Sequence, residues 1–279
     1  MVTLLISRGS FSGGVRIAQC LAKAPGWTCL TREDLIAAVN AHGELANKVM
    51  ARMPEATANY AEFSALRRPY KLLMRLALLE YMRRGNVAYF GYSGHLLLPP
   101  IPHVVRIRIL APIELRVAQH MARDNYSAEQ ARAHIRQVDE ERSRWTRFIY
   151  GKNLRDPEAF DLCINLDRIS FPEACCLLQH VAKQSDFQST AESLALVENL
   201  YLSSKVLAEL AMDPRTADIE LGATAQGGRV SLEGPYLEEP VLALLLDVAR
   251  AVSDVQEVQY TEGYAPAFDI NFEREEVQR

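Results

Sequence analysis

Hydrophobic positions cluster along this chain in short blocks separated by polar or Gly/Pro-containing breaks. Residues 2–7 form a nearly continuous apolar run, the pattern of a strand buried on both faces. A Gly/Ser turn follows, and a helix is expected from about Gly14 to Ala24. Residues 33–84 read as helical throughout, with Leu72, Leu73, Leu76, Leu79 and Met82 at helical spacing, until Gly85-Asn86 breaks the run. Short apolar blocks at 87–91, 104–110 and 160–165 predict three further strands. Helices are expected between and after them: one near Pro112 to Arg123, one from the capping-box sequence Ser127-x-x-Gln130 to about Ile149, and one from Pro172 to Ala182. Strand and helix in alternation predict an α/β fold with a parallel sheet covered on both faces.

The pattern changes after a polar stretch, 184–193, which reads as a linker. A helix is expected over Leu194–Met212, then strands 219–225 and 229–233 joined by Gly227-Gly228, a helix over 238–252 and a strand over 255–260. The glycine pair supplies the positive φ that a tight hairpin needs. The expected organisation is a large domain over 1–183, a small α+β unit (α-β-β-α-β) over 194–264, and an irregular tail over 265–279. The small unit is too short to be expected to hold an active-site cleft of its own.

Charge follows the same division. Residues 1–193 carry 25 basic and 19 acidic side chains, whereas residues 194–279 carry 6 and 16. Of the 25 cations, 20 are Arg, whose planar fork suits phosphate oxygens, although a solvated Arg-rich surface gives the same count. The composition, 49% hydrophobic and 24% charged, is that of an ordinary globular protein. No apolar run approaches the roughly 18 residues of a membrane span, and the chain opens on a strand with Arg8 close behind, so a cytoplasmic protein is expected. The five cysteines include no C-x-x-C pair, which predicts neither a zinc site nor a disulfide framework but reduced thiols.

The chemistry begins in the first turn. Gly9, four residues, then Gly14 has the spacing of a phosphate-binding loop, and backbone N–H groups at the opening of a helix favour an anion. Gly13 and Gly14 let the backbone approach a phosphate, and Ser10 and Ser12 can add hydroxyl donors. The next two positions, which in a working loop hold a Lys for the transferred phosphate and a Ser/Thr for Mg²⁺, are Val15 and Arg16. Arg8 could supply a compensating charge or be a surface cation. Arg132, Arg136, Arg142, Arg144 and Arg147 crowd one predicted helix, with Arg123 before it and Lys152 and Arg155 after it, fitting either an Arg-bearing lid or a solvated face paired with Asp139 and Glu140.

Ile6-Ser7-Arg8 with Ser12-Gly13-Gly14 resembles the start of the cytidylate-kinase-like proteins, a branch of the P-loop nucleoside monophosphate kinases. Thr31-Arg32-Glu33, Ala111-Pro112-x-Glu114-x-Arg116, Asp139-x-Glu141-Arg142, Tyr150-Gly151-Lys152 and the string from Asp156-Pro157 to Asn165 match in order, over about residues 1–183. The resemblance implies a three-layer fold with a five-stranded parallel sheet, a helical insert and a lid, and phosphate transfer from ATP-Mg²⁺ to a monophosphate such as CMP. It implies donor phosphates at Gly9 to Gly14, lid charges at Arg142 and Arg147, and acceptor-side roles for Arg32 and Asp156. Departures fall at Val15, at Tyr92 where the family has Arg, and at Thr31 where it has Asp. They weaken the preorganised charge that phosphoryl transfer needs. A catalytically inactive, pseudokinase-type sensor is therefore the alternative. The segment 194–279 resembles a BON domain in its hairpin and in Val255-x-x-Val258. Its net acidity argues against an anionic membrane surface and fits a protein partner or a homodimer contact; no nucleic-acid partner is expected.

Overall fold

The computed structural model describes residues 1–40, 43–53 and 63–263. They form two compact units, one built from 1–35 and 84–190, the other from 36–40, 43–53, 63–83 and 191–263.

The first unit is built on a five-stranded sheet, β1 (Thr3–Arg8), β2 (Trp27–Thr31), β3 (Asn86–Gly91), β4 (Val104–Leu110) and β5 (Leu162–Asn165). Its order is β2-β3-β1-β4-β5 and every pairing is parallel, for example Leu5 opposite Tyr89 on one side and Arg106 on the other. β1 is central and buried on both faces, which explains its unbroken apolar run. Helices α1 (Gly14–Ala22) and α7 (Phe171–Val181) pack together over one face, where Ile17, Leu21, Ala174 and Leu178 meet Leu4, Ile6, Ile107 and Ile164. The strand β2 was not expected from the pattern. It lies on the edge of the sheet, and only Leu30 of its five residues is buried, so no apolar block marks it.

The single helical run expected over 33–84 is corrected to α2 (Arg32–Asn40), α3 (Glu44–Arg52) and α4 (Ser64–Met82). Gly43, at φ 111, interrupts the first two, and part of the remaining stretch lies outside the described residues. Thr31 caps α2: its N–H and Oγ1 donate to Asp34 Oδ2 at 2.7 and 2.8 Å, and Asp34 N returns a bond to Thr31 Oγ1 at 3.3 Å. Downstream, α5 (Ile113–Asp124) and α6 (Ala128–Tyr150) form a packed hairpin. The expected capping box is present, with Ser127 Oγ accepting from Gln130 N and Gln130 Oε1 from Ser127 N.

In the second unit, α4 packs against α8 (Ala191–Met212), and all five leucine and methionine positions read from the sequence are buried. The helix α8 starts within the stretch expected to be a linker. A three-stranded sheet follows, β6 (Gly222–Gln226), β7 (Arg229–Gly234) and β8 (Glu257–Glu262), with α9 (Glu239–Arg250) between the last two. β6 and β7 are antiparallel and β7 and β8 parallel, and Gly227 and Gly228 take φ 55 and 87 in the hairpin turn. Residues expected to form the tail lie outside the described residues.

The expectation of reduced thiols throughout is also corrected. Cys20 of α1 and Cys175 of α7 form a disulfide, with Cα atoms 6.4 Å apart. The packing of two helices on one sheet face joins residues 155 positions apart, a pairing local spacing does not reveal. Cys29, Cys163 and Cys176 are free thiols. No described helix is long and apolar enough to cross a membrane.

Candidate active site

The loop between β1 and α1 is shaped by its glycines. Gly13 takes φ 80 at the helix N-cap, and a Cβ there would lie 2.0 Å from the Phe171 ring. A Cβ on Gly14 would lie 2.0 Å from Arg8 Cδ, so the Arg8 side chain runs directly against the loop backbone. Ser12 Oγ donates to Gly9 O at 2.9 Å and closes the turn on itself. Phe11, at φ 53, leaves the loop and stacks on the buried His120 ring at 3.8 Å, with Arg123 4.5 Å away on the Phe11 ring. Phe11 also packs with Val117, Ala131 and Ile135, so the loop is anchored to the α5–α6 hairpin. His120 Nε2 lies 2.7 Å from His134 Nδ1, and its Nδ1 approaches Asp124 Oδ2 at 2.9 Å without hydrogen-bond geometry.

Beside the loop is a cavity of about 360 Å³. Arg8, Arg108, Arg116, Arg142 and Arg155 line it, with a single carboxylate, Asp139, and an apolar wall of Ile109, Leu110, Leu154, Pro157 and Phe160. Gly9, Ser12, Ala111 and the exposed Cys163 complete it. Arg8 Nε and Arg142 Nη1 are buried without a hydrogen-bond partner. Burial, reinforced by Arg142, pulls the pKa of Arg8 below its usual value; burial does the same to Arg108, opposed by Asp139. A guanidinium nonetheless keeps its charge inside proteins. An anion entering here meets excess positive charge and unsatisfied donors in a partly desolvated space, where such contacts are strong.

Asp139 is fully engaged. Its Oδ1 accepts from Ser10 Oγ at 2.8 Å and Ser10 N at 3.3 Å, and its Oδ2 from Arg116 Nη2 at 2.6 Å. Arg116 also donates to Ser10 Oγ at 2.8 Å and Ser10 O at 2.7 Å. Across the cavity, Arg108 Nη1 donates to Ser7 Oγ at 2.7 Å, and Arg142 stands 5.1 Å over the Tyr92 ring.

The residues expected from the sequence divide into three groups. Arg8, Gly9, Ser12 and Arg142 line the cavity, while Ser10, Gly13 and Gly14 shape the adjoining loop. Arg147 lines a neighbouring, more open recess that shares Asp139 and Arg155 with the first. Arg16, Arg32 and Asp156 do not line the cavity. Arg16 stacks over Phe171 at 4.1 Å, and Asp156 Oδ1 accepts from Glu158 N at 3.0 Å, capping a short turn. Val15 is 60% exposed. Sequence reasoning left Arg108 out of the site, met Arg116 and Asp139 only as members of matched motifs, and met Arg155 only beside the Arg-rich lid segment. Arg106 and Arg108 inside an otherwise apolar strand were the available signal, because charges inside a strand need a reason to be there.

A resident magnesium does not fit this donor set. The loop position that would hold it is Arg16, Asp139 is already bound by Arg116 and Ser10, and no described cluster of three or more His, Cys, Asp or Glu could hold a metal.

The family model described as cytidylate kinase-like matches residues 3–168. The chain belongs to the cytidylate kinase-like family. The match spans the sheet from β1 to β5, the Gly loop and every residue lining the cavity. A cytidylate kinase of Ignicoccus hospitalis is 34% identical over 90 residues, 32% of this chain and 51% of that protein. The chain thus spans about half the length of that curated relative. Among solved structures, an uncharacterized protein from Eubacterium ventriosum is similar at 16% identity and a TM-score of 0.47, covering 65% of this chain and 97% of the other. A shikimate kinase from Acinetobacter baumannii, solved with shikimate, is similar at 12% identity and a TM-score of 0.39, covering 65% and 92%.

Proposed function

We propose that the first unit binds a nucleotide through its phosphates and transfers phosphate from ATP to a small acceptor of the nucleoside monophosphate class, with CMP the first candidate. The observation that carries this reading is the convergence of five guanidiniums and a Gly-rich loop on one cavity, with two buried Arg N–H groups left unpartnered. Guanidiniums fixed around a transferring phosphoryl group supply the stabilisation of spreading negative charge on which such transfer depends. Arg8, Arg108 and Arg142 would take the place of the absent loop lysine, and magnesium would arrive with the ATP rather than reside on the protein.

A second reading rests on Val15 and Arg16. One is exposed and the other is stacked on Phe171, so neither reaches the cavity. On this reading the unit holds a nucleotide without turning it over, and the acidic second unit, BON-like in its α-β-β-α-β order, acts on a protein partner. A coupled ADP-release assay with ATP-Mg²⁺ and CMP, run beside calorimetry with each nucleotide, separates the two. CMP-dependent ADP release supports the kinase, tight binding without turnover supports the sensor, and absence of binding by any nucleotide removes both.

A further inference from the structure

The loop is not vacant. Ser10 N–H, one of the backbone donors such a loop offers to phosphate, points at Asp139 Oδ1, and Ser10 Oγ donates to the same oxygen. Arg116 clamps the other oxygen at 2.6 Å. A carboxylate from the middle of α6 therefore stands where the loop would hold a ligand oxygen. The pair is well shielded, with the Arg116 and Asp139 side chains 12% and 20% exposed, so it competes more strongly than a surface ion pair. Arg8 Nε and Arg142 Nη1, on the same cavity, are left without a partner, so the one carboxylate does not satisfy the charge around it.

We infer that Asp139 is the specificity-determining residue of this loop: it is a built-in anion that an incoming ligand must displace, so the loop accepts a phosphate of higher charge and rejects monoanions. The inference rests on the proposed phosphate-binding reading of the cavity. A singly charged carboxylate or chloride gains nothing over Asp139 at Ser10 and Arg116. A polyphosphate brings more negative charge to the same donors and, through its adjoining oxygens, extends towards Arg8 and Arg142, each of which has one N–H without a hydrogen-bond partner. Displacement frees Asp139 together with the turn of α6 that carries Arg142, which couples occupancy of the loop to the position of that helix.

The probe is inorganic tripolyphosphate, titrated calorimetrically into the full chain, with acetate and sulfate as comparison anions. Asp139→Asn keeps a side chain of the same shape and removes the competing charge. It should tighten tripolyphosphate about tenfold or more and make binding of the monoanion acetate measurable. Unchanged or weaker tripolyphosphate binding in the variant, with wild-type binding intact, overturns the role of Asp139 and leaves the phosphate-binding reading standing. Absence of tripolyphosphate binding in both proteins overturns the two together. Should the variant fail to fold, a crystal structure of the wild-type chain with tripolyphosphate decides. Phosphate oxygen on Ser10 N with Asp139 moved away supports the inference, and Asp139 still bonded to Ser10 beside the ligand contradicts it.

Discussion

At Gly13 two constraints meet: a left-handed φ of 80 and a Phe171 ring atom 2.0 Å from any added Cβ. Gly13→Ala is expected to lower stability by about 1–3 kcal/mol, read as a reduced urea midpoint at unchanged slope. Phe171→Ala in the same chain should restore only part of it, because the backbone strain persists. His95 makes a different prediction. It is 1% exposed, neither ring nitrogen has a hydrogen-bond partner, and its ring lies 4.3 Å from Phe160. Burial, with the charges of Arg108 and Arg106, pulls its pKa down to about 3 from an ordinary 6.5. Between those values the unfolded chain binds a proton that the folded chain refuses. Stability should therefore fall as pH drops below about 6.5 and keep falling towards about 3. His95→Phe should flatten this acid limb in denaturant melts at stepped pH; an unchanged limb would assign the acid sensitivity to other groups.

Among the elements, the α5–α6 hairpin holds the loop through Phe11 and the α1–α7 pair holds it through Gly13. The Ser127 capping box starts α6, so Ser127→Ala should cost about 1 kcal/mol in thermal or urea unfolding. The Cys20–Cys175 bridge ties α1 to α7, whose Phe171 packs on Gly13 and under Arg16. Reduction is expected to cost about 2–4 kcal/mol, seen as a lower midpoint with reductant, and Cys20→Ser should melt alike with and without it. What the sequence made legible at this scale follows from burial. β1 and β3 were readable because their residues are nearly all buried, β4 because buried Val and Ile positions run through it, and α6 and the Gly227–Gly228 hairpin because each carries its own chemical punctuation. The edge strand β2 leaves no comparable signature, and Gly43, which precedes α3, is a single glycine inside a long helical pattern. The site was half legible for the same reason. Its loop is a contiguous motif, whereas Arg108, Arg116, Arg155 and Asp139 come from four separate stretches that only the parallel crossovers bring together.

For the whole molecule, charge is the useful quantity. The chain is net −4, yet residues 1–193 are net basic and residues 194–279 strongly acidic. A ligand recognised by the guanidiniums of the first unit should bind less tightly as salt rises, and a flat salt dependence would point to recognition through the apolar wall instead. The most direct test of the account is calorimetric titration of ATP-Mg²⁺ into the full chain, wild type and Arg142→Ala. The account predicts one saturable site whose affinity falls about tenfold or more in the variant. No heat with the wild type, or equal affinity in the two proteins, would contradict a phosphate site built from the Gly loop and its surrounding arginines.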